Sequence, residues 1–211
     1  GLGLSPFKRA LKVADRLSCR VEVHTTDSPG ETTDLVNLFR PGDIFTHVFH
    51  GIGNTIIGRD GHVLPAVREA RKRGVIFDAA NGRNHFAFKT AEAALADGFA
   101  PDVLGSDLTW LTFGKEPAFG LPWLMSKYLA LGMKLPDVIA AVTATPARVF
   151  GMEKEIGTLA PGACADVALF KLVRKKCTFR DILGESRTGE QLLLPQATWR
   201  AGRLVFRQLN F

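Results

Sequence analysis

Three side chains that can bind metals or carry protons stand at equivalent places along the chain. His24 ends a short apolar run, His47 lies inside the next run, and Asp107 follows the fourth. These runs have the length and β-branched content of buried strands, so each side chain is expected at or near a strand. In α/β sheets and barrels the carboxyl ends of the strands form the ligand site, which would bring all three together.

The chemistry expected of these residue types is metal-assisted hydrolysis. Imidazole nitrogen and carboxylate oxygen are suitable ligands for a divalent metal, and a catalytic site leaves one coordination position open for water. The metal makes that water acidic, and a neighbouring carboxylate, here Asp107, can take the proton as general base. A single His at a strand end is more often a hydrogen-bonded structural residue, and the spacing alone leaves that alternative open.

Four strands and intervening helices must position these residues. The strands are predicted at 20–24, 43–49, 75–79 and 102–106. Amphipathic segments alternate with them, and helices are predicted at 6–17, 31–39, 64–73 and 90–97. This alternation is typical of an α/β fold in which helices connect parallel strands.

The composition changes in the last third of the chain. Three further helical segments are predicted at 121–131, 136–143 and 146–150, and the sequence from Gly157 onward is rich in β-formers and turn residues. We therefore predict two domains, an α/β domain over 1–150 and a small β-domain over 151–211.

Length and charge limit the classes of partner. The chain has 211 residues, 46% hydrophobic content and a net charge of +6. It contains neither a secretory signal nor the roughly 20 apolar residues needed to cross a bilayer, so a cytoplasmic protein without a membrane partner is expected. Arg68–Arg73 at a helix end and Arg174–Lys176 in a late loop are interpreted as solvated surface, because no aromatic residues interleave with them. A small-molecule substrate is expected rather than a nucleic acid.

Several segments, in this order, resemble the amidohydrolase superfamily, in particular its dihydroorotase-like, deacetylase-type branch. They are VHTTDSP, DIFTHVFHG, GRNHFAFK, LGSDL, PWLMSK, TATPARVFG and GTLAPGACADVALF. The most specific is TPARVFG followed by G-x-L-x-P-G-x-x-A-D, the last barrel helix and the re-entry into a β-domain. The resemblance covers nearly the whole chain.

The resemblance implies a site in a (β/α)₈ TIM barrel. In that family the metals are held by a His-x-His pair on strand one, usually a carboxylated Lys on strand four, His on strands five and six, and Asp on strand eight. By resemblance, His24 and His47 are the strand-five and strand-six ligands, and Asp107 is the strand-eight ligand and general base. The loop after the seventh strand would place its polar side chains toward substrate. They are Asn81, Arg83 and His85. His50 and His62 match no role in the family and are expected to lie on the loop surface.

The chain departs from this pattern in ways that concern its completeness. It has no His-x-His pair, no strand-end Lys before His24, and only four of the eight strands. We therefore predict the C-terminal half of a TIM barrel plus part of a small β-domain, within an enzyme roughly 1.5 to 2 times longer. Alone it should bind metal weakly and have little or no activity. Its open strand edges favour pairing with another copy or with the missing half, and a homo-oligomer is expected.

The function predicted is metal-dependent hydrolysis of amide or ester bonds in small N-acyl, O-acyl or cyclic amide substrates. One or two divalent ions are expected, with Zn²⁺ favoured. The alternative is a non-catalytic α/β binding module or a degenerate relative, which predicts a finished open sheet with His24 and His47 too far apart to share an ion. Nucleic-acid binding through the basic surface is a third hypothesis.

Overall fold

The computed structural model describes residues 1–209, which form two compact units. The first unit comprises Gly1–Asp107 together with Asp181–Glu185, and the second comprises Leu108–Arg180 and the described residues from Ser186 to residue 209. The boundary predicted near Gly151, between an α/β domain and a small β-domain, stays a prediction. Among the described residues, no helix has the length and apolar character required to cross a membrane.

The first unit contains a parallel sheet, as the sequence predicts. Strands β1 (Glu22–His24), β2 (Ile44–Thr46) and β3 (Ile76–Asp78) lie in the order β1-β2-β3. Their registers align Val23 with Phe45 and Phe45 with Phe77. Four helices accompany the strands in this unit. They are α1 (Ser5–Leu17), α2 (Thr32–Val36), α3 (Pro65–Lys72) and α4 (Phe88–Ala96).

The fourth predicted strand, 102–106, is reduced to one parallel bridge between Asp78 and Val103. Two aspartate side chains explain the short pairing, because each takes a backbone N–H group. The carboxylate of Asp102 accepts from the N–H of Phe77 at 2.8 Å, and that of Asp78 accepts from the N–H of Gly105 at 2.8 Å. The predicted helix 31–39 is likewise shortened to the five residues of α2.

A row of aromatic rings forms the core of the first unit. Phe45 and Phe77, central in β2 and β3, are fully buried, with ring centroids 5.4 Å apart. Phe39 lies 5.5 Å from Phe45, and Phe99 lies 5.1 Å from Phe77. Since side chains alternate along a strand, the neighbouring residues Thr46 and Asp78 point to the opposite face, where the cavity described below lies.

Two arginines of the basic cluster in α3 make contacts inside the first unit. The guanidinium of Arg71 lies 3.6 Å from the ring centroid of Phe99 and donates to the carbonyl oxygen of Ala100 at 2.7 Å. Arg68 pairs with the carboxylate of Asp97 at 3.1 Å. These contacts give the two arginines a structural role, while the absence of a nucleic-acid partner stays a prediction.

The second unit has helices α5 (Leu121–Ala130), α6 (Leu135–Val142) and α7 (Ala144–Val149), close to the predicted bounds. An antiparallel sheet follows in the order β4-β5-β6, with β4 at Val167–Arg180, β5 at Ser186–Arg200 and β6 at Arg203–Arg207. The prediction of a loop at Arg174–Lys176 is wrong, because these residues lie within β4. The ladder continues past them through a register shift between Arg174 and Cys177.

Candidate metal centre

His24 and His47 lie at the same end of the parallel sheet. His24 is the last residue of β1, as predicted. His47 is not inside a strand, since β2 ends at Thr46, and its φ of 69° falls in the left-handed region. The chain turns there because the N–H of Val48 donates to the carbonyl oxygen of Asp78 at 3.0 Å, across to the neighbouring strand.

The two imidazoles face each other. Nε2 of His47 lies 2.9 Å from Nδ1 of His24, and the ring centroids are 4.4 Å apart. Nδ1 of His47 lies 2.7 Å from the carbonyl oxygen of Ala80, a contact in which this nitrogen must donate its hydrogen. Nε2 of His47 therefore carries the lone pair of the neutral ring and accepts the hydrogen of Nδ1 of His24. The distance contradicts the expectation of the binding-module alternative that these two rings are too far apart.

His85 joins the same cluster. Its ring stacks on that of His47 with centroids 4.0 Å apart and an interplanar angle of 22°, and its centroid lies 4.8 Å from that of His24. Each of the three rings offers one ligand atom, and these atoms all lie within 4.8 Å of one another. The sequence predicts a substrate-facing residue here, and that role stays a prediction. In the sequence, the only indication of a three-histidine cluster is that His85 lies in the loop after a predicted strand.

Asp107 shares a cavity with His24 and His47. The cavity has a volume of about 420 Å³. Its polar lining residues are Glu22, His24, Thr46, His47, Asp78 and Asp107. Oδ2 of Asp107 lies 3.9 Å from Nε2 of His85. Thus the three residues singled out first in the sequence border one space, and their roles as ligands and base stay predictions.

Backbone strain is concentrated at this site. His47, Ala80 and Asp107 have φ values of 69°, 33° and 48°, a region that L-residues rarely adopt. Such strain persists only where surrounding structure enforces it, and it is common in functional sites. Gly82 allows the close approach of Asp107, because a Cβ on Gly82 would overlap the Asp107 carboxylate.

Burial keeps the imidazoles of His47 and His85 neutral. It lowers the pKa of His47 to about 4, although the hydrogen bond with Ala80 acts in the opposite direction. Burial also lowers the pKa of His85, helped by the neighbouring His24 and opposed by Asp107. Neutral rings retain the lone pair that a metal ligand requires. The local electrostatics therefore suit cation binding near neutral pH.

Burial acts on the carboxylates in the opposite direction. It raises the pKa of Asp107 above its ordinary value, and it raises that of Asp78 to about 6 against two backbone hydrogen bonds. A raised pKa makes a carboxylate a better proton acceptor. Asp78 and Glu22 were missed in the sequence, although Asp78 ends its strand just as His24 does.

The other predicted residues are placed differently. Asn81 is buried and Arg83 is exposed, and neither is among the residues that line the cavity. Their substrate-binding role stays a prediction. The interpretation of His50 as loop surface is wrong, because its side chain is buried and only 1% exposed. His62 is on the surface as predicted, where it contacts Asp97 at 2.8 Å.

The donor set fits a divalent transition metal. Three imidazoles whose ligand atoms lie within 4.8 Å of one another, with a carboxylate at the cavity wall, match the nitrogen and oxygen ligands that Zn²⁺ and its neighbours prefer. The supporting contact from His47 to the Ala80 carbonyl is of the kind that orients metal-binding histidines.

Comparisons with known proteins agree with this geometry. A sequence profile described as "Amidohydrolase family" matches residues 4–203. A protein named deacetylase from Agrobacterium fabrum (strain C58) is 30% identical over 194 residues, which is 92% of this chain and 47% of that protein. The chain thus spans about half the length of this curated relative.

Two solved structures are similar over nearly the whole chain. An adenine deaminase superposes with a TM-score of 0.91 and 26% identity, over 98% of this chain and 56% of the other. A dihydroorotase superposes with a TM-score of 0.84 and 29% identity, over 98% and 53%. The expected fold is confirmed: the chain matches about half of a TIM-barrel amidohydrolase, and its described strands do not close a barrel.

Proposed function

We propose, from the premise that the chain belongs to the amidohydrolase family, that it forms part of a metal-dependent hydrolase of small amides or esters. N-acyl, O-acyl and cyclic amide compounds are the proposed substrates. The observation that carries the proposal is the contact of 2.9 Å between Nε2 of His47 and Nδ1 of His24, next to a cavity that Asp107 also lines. The name deacetylase, borne by the relative from Agrobacterium fabrum, supports an acyl group as the part removed.

His24 and His47 would hold the metal, and Asp107 would carry the proton. A bound divalent ion, with Zn²⁺ proposed, supplies acidification of water and polarisation of the substrate carbonyl. Asp107 would accept the proton lost by the attacking water and return it to the leaving nitrogen or oxygen. The raised pKa of its carboxyl favours the first of these steps. Asn81 and Arg83 are proposed to contact the substrate beyond the reacting bond.

The remaining proposals concern the protein as a whole. The chain spans about half of its curated relative, and it lacks the His-x-His pair and the strand-end Lys that the family uses. We therefore propose that this chain by itself has little hydrolase activity. A homo-oligomer in the cytoplasm with a small-molecule substrate is the proposed setting.

The test is hydrolysis by the full-length protein carrying Asp107→Asn. With a panel of N-acetyl and O-acetyl compounds and cyclic amides, we expect kcat to fall by about 10²-fold or more, as is typical when a general base is removed. Asp34→Asn is the matched control, because Asp34 is exposed in the first turn of α2, outside the cavity lining. The proposal would be refuted if the Asp107 variant hydrolysed these compounds at the wild-type rate and the purified wild-type protein contained no metal.

A further inference from the structure

We infer that His85 is a third imidazole ligand, so that His24, His47 and His85 bind one divalent cation through three nitrogens. This inference rests on the metal site of the proposed function and adds a ligand to it. It differs from the role that the sequence suggested for His85, a contact with substrate.

The distances between the ligand atoms of the three rings support a shared cation. One ligand atom from each ring lies within 4.8 Å of the others. Two nitrogens bound to one ion at about 2.1 Å are at most about 4.2 Å apart, so the rings need to close by well under 1 Å. His24 is exposed, so its ring has room on the solvent side to make that adjustment by rotating.

The rings of His47 and His85 are each oriented by an oxygen atom that contacts Nδ1. Nδ1 of His47 is held by the Ala80 carbonyl at 2.7 Å, and Nδ1 of His85 lies 2.9 Å from the hydroxyl of Thr26. When each Nδ1 donates its hydrogen outward, Nε2 of each ring carries the lone pair for the site. Metal-binding histidines are oriented in this way by an oxygen on their far side.

The contact with Asp107 does not account for the position of His85. Its Nε2 lies 3.9 Å from Oδ2 of Asp107, beyond hydrogen-bond distance. A cation between the imidazoles and this carboxylate would explain both the gap and the stacking of His85 on His47 at 4.0 Å. Three imidazoles favour Zn²⁺ or Co²⁺ over Mg²⁺ or Ca²⁺, which prefer oxygen ligands.

The experiment measures metal affinity rather than activity. The full-length protein is stripped with a chelator and titrated with Co²⁺, followed by visible absorption, and with Zn²⁺ in competition with a chromogenic chelator. We expect His85→Ala to weaken Zn²⁺ binding by about 100-fold or more and to change the Co²⁺ spectrum, since loss of even a supporting residue costs about 10- to 100-fold. His62→Ala is the control, because His62 is a surface residue paired with Asp97, and its affinity should equal that of the wild type.

Two further variants guard against misfolding. His85→Gln keeps a polar side chain of similar reach, and Thr26→Val removes the outer contact without touching a ring; we expect about 10-fold weaker binding for the latter. Wild-type affinity and spectrum in both His85 variants, with binding lost in His47→Ala, would overturn this inference and leave the proposed function standing. A wild-type protein that binds neither metal would overturn both.

Discussion

Gly82 illustrates at the scale of single residues how closely the loop after β3 approaches the carboxylate of Asp107. A side chain on Gly82 would overlap that carboxylate, and its φ of 50° is also unfavourable for other residues. We predict that Gly82→Ala displaces Asp107 and lowers kcat/KM of the full-length protein by at least about 10-fold, because misplacement of a reacting group by about 1 Å is costly. The positive φ alone should cost about 1–2 kcal/mol of stability, and the overlap with the carboxylate adds to that cost.

Gly61→Ala separates the two effects of that substitution. Gly61 also has a positive φ, 83°, but nothing lies within 4 Å of the position its Cβ would take. It should lose only the stability due to the positive φ, measured by thermal unfolding, and keep wild-type kcat/KM. Equal activity in the two variants would show that the Asp107 carboxylate does not need the space beside Gly82.

At the scale of elements, Asp43 joins the starts of β1 and β2. Its buried carboxylate accepts from the N–H of Val21 at 2.8 Å and from the backbone N–H and Nε of Arg40 at 2.8 and 3.0 Å. Burial alone would raise the pKa of Asp43, but these hydrogen bonds and the Arg40 charge hold it below its ordinary value of 3.8. The two strands therefore keep their register partly through one ionised side chain.

We predict that Asp43→Asn costs about 1–3 kcal/mol of unfolding free energy at pH 7, because Arg40 loses its buried partner and keeps only the exposed carboxylate of Asp15. A lowered folded-state pKa means that the stabilisation is complete above pH 3.8 and disappears as pH falls through the lower folded value. Urea unfolding of wild type and variant at pH 7, 5 and 3 should show that the difference in unfolding free energy shrinks only at the lowest pH.

The control is Asp15→Asn, which removes the exposed partner of Arg40 and should cost less than about 1 kcal/mol at every pH. A difference that persists undiminished at low pH would contradict the role of the ionised carboxylate.

Gly189 has the corresponding role between elements of the second unit. A Cβ there would lie 2.7 Å from Cβ of Ala130 in α5 and 2.9 Å from Cε2 of Phe179 in β4. We predict that Gly189→Ala lowers unfolding free energy by about 1–3 kcal/mol through overpacking. Calorimetry of the double variant Gly189→Ala with Ala130→Gly should show partial recovery, since the two residues share one contact. Strict additivity of the two losses would argue against this packing.

At the scale of the whole molecule, the chain carries a parallel sheet whose outer strand β1 pairs on one side only among the described residues. Unpaired strand edges are templates for association. We predict that the 211-residue chain expressed alone self-associates, and that sedimentation velocity shows concentration-dependent species larger than 23.0 kDa. A well-behaved monomer across that concentration range would contradict the proposed homo-oligomer.

The sequence by itself determined the order of strands and helices, the parallel first sheet, the β-rich end and the strand-end position of His24. These follow from local patterns, because the period of apolar residues and the turn residues act within a few positions. It did not determine that His85 stacks on His47, that His50 is buried, or that the strand at 102–106 shrinks to one bridge. Those outcomes depend on loop conformation and on long-range hydrogen bonds such as that from Gly105 to Asp78, and no local pattern encodes them. Tertiary structure alone brings one ligand atom of each of the three imidazoles within 4.8 Å of the others.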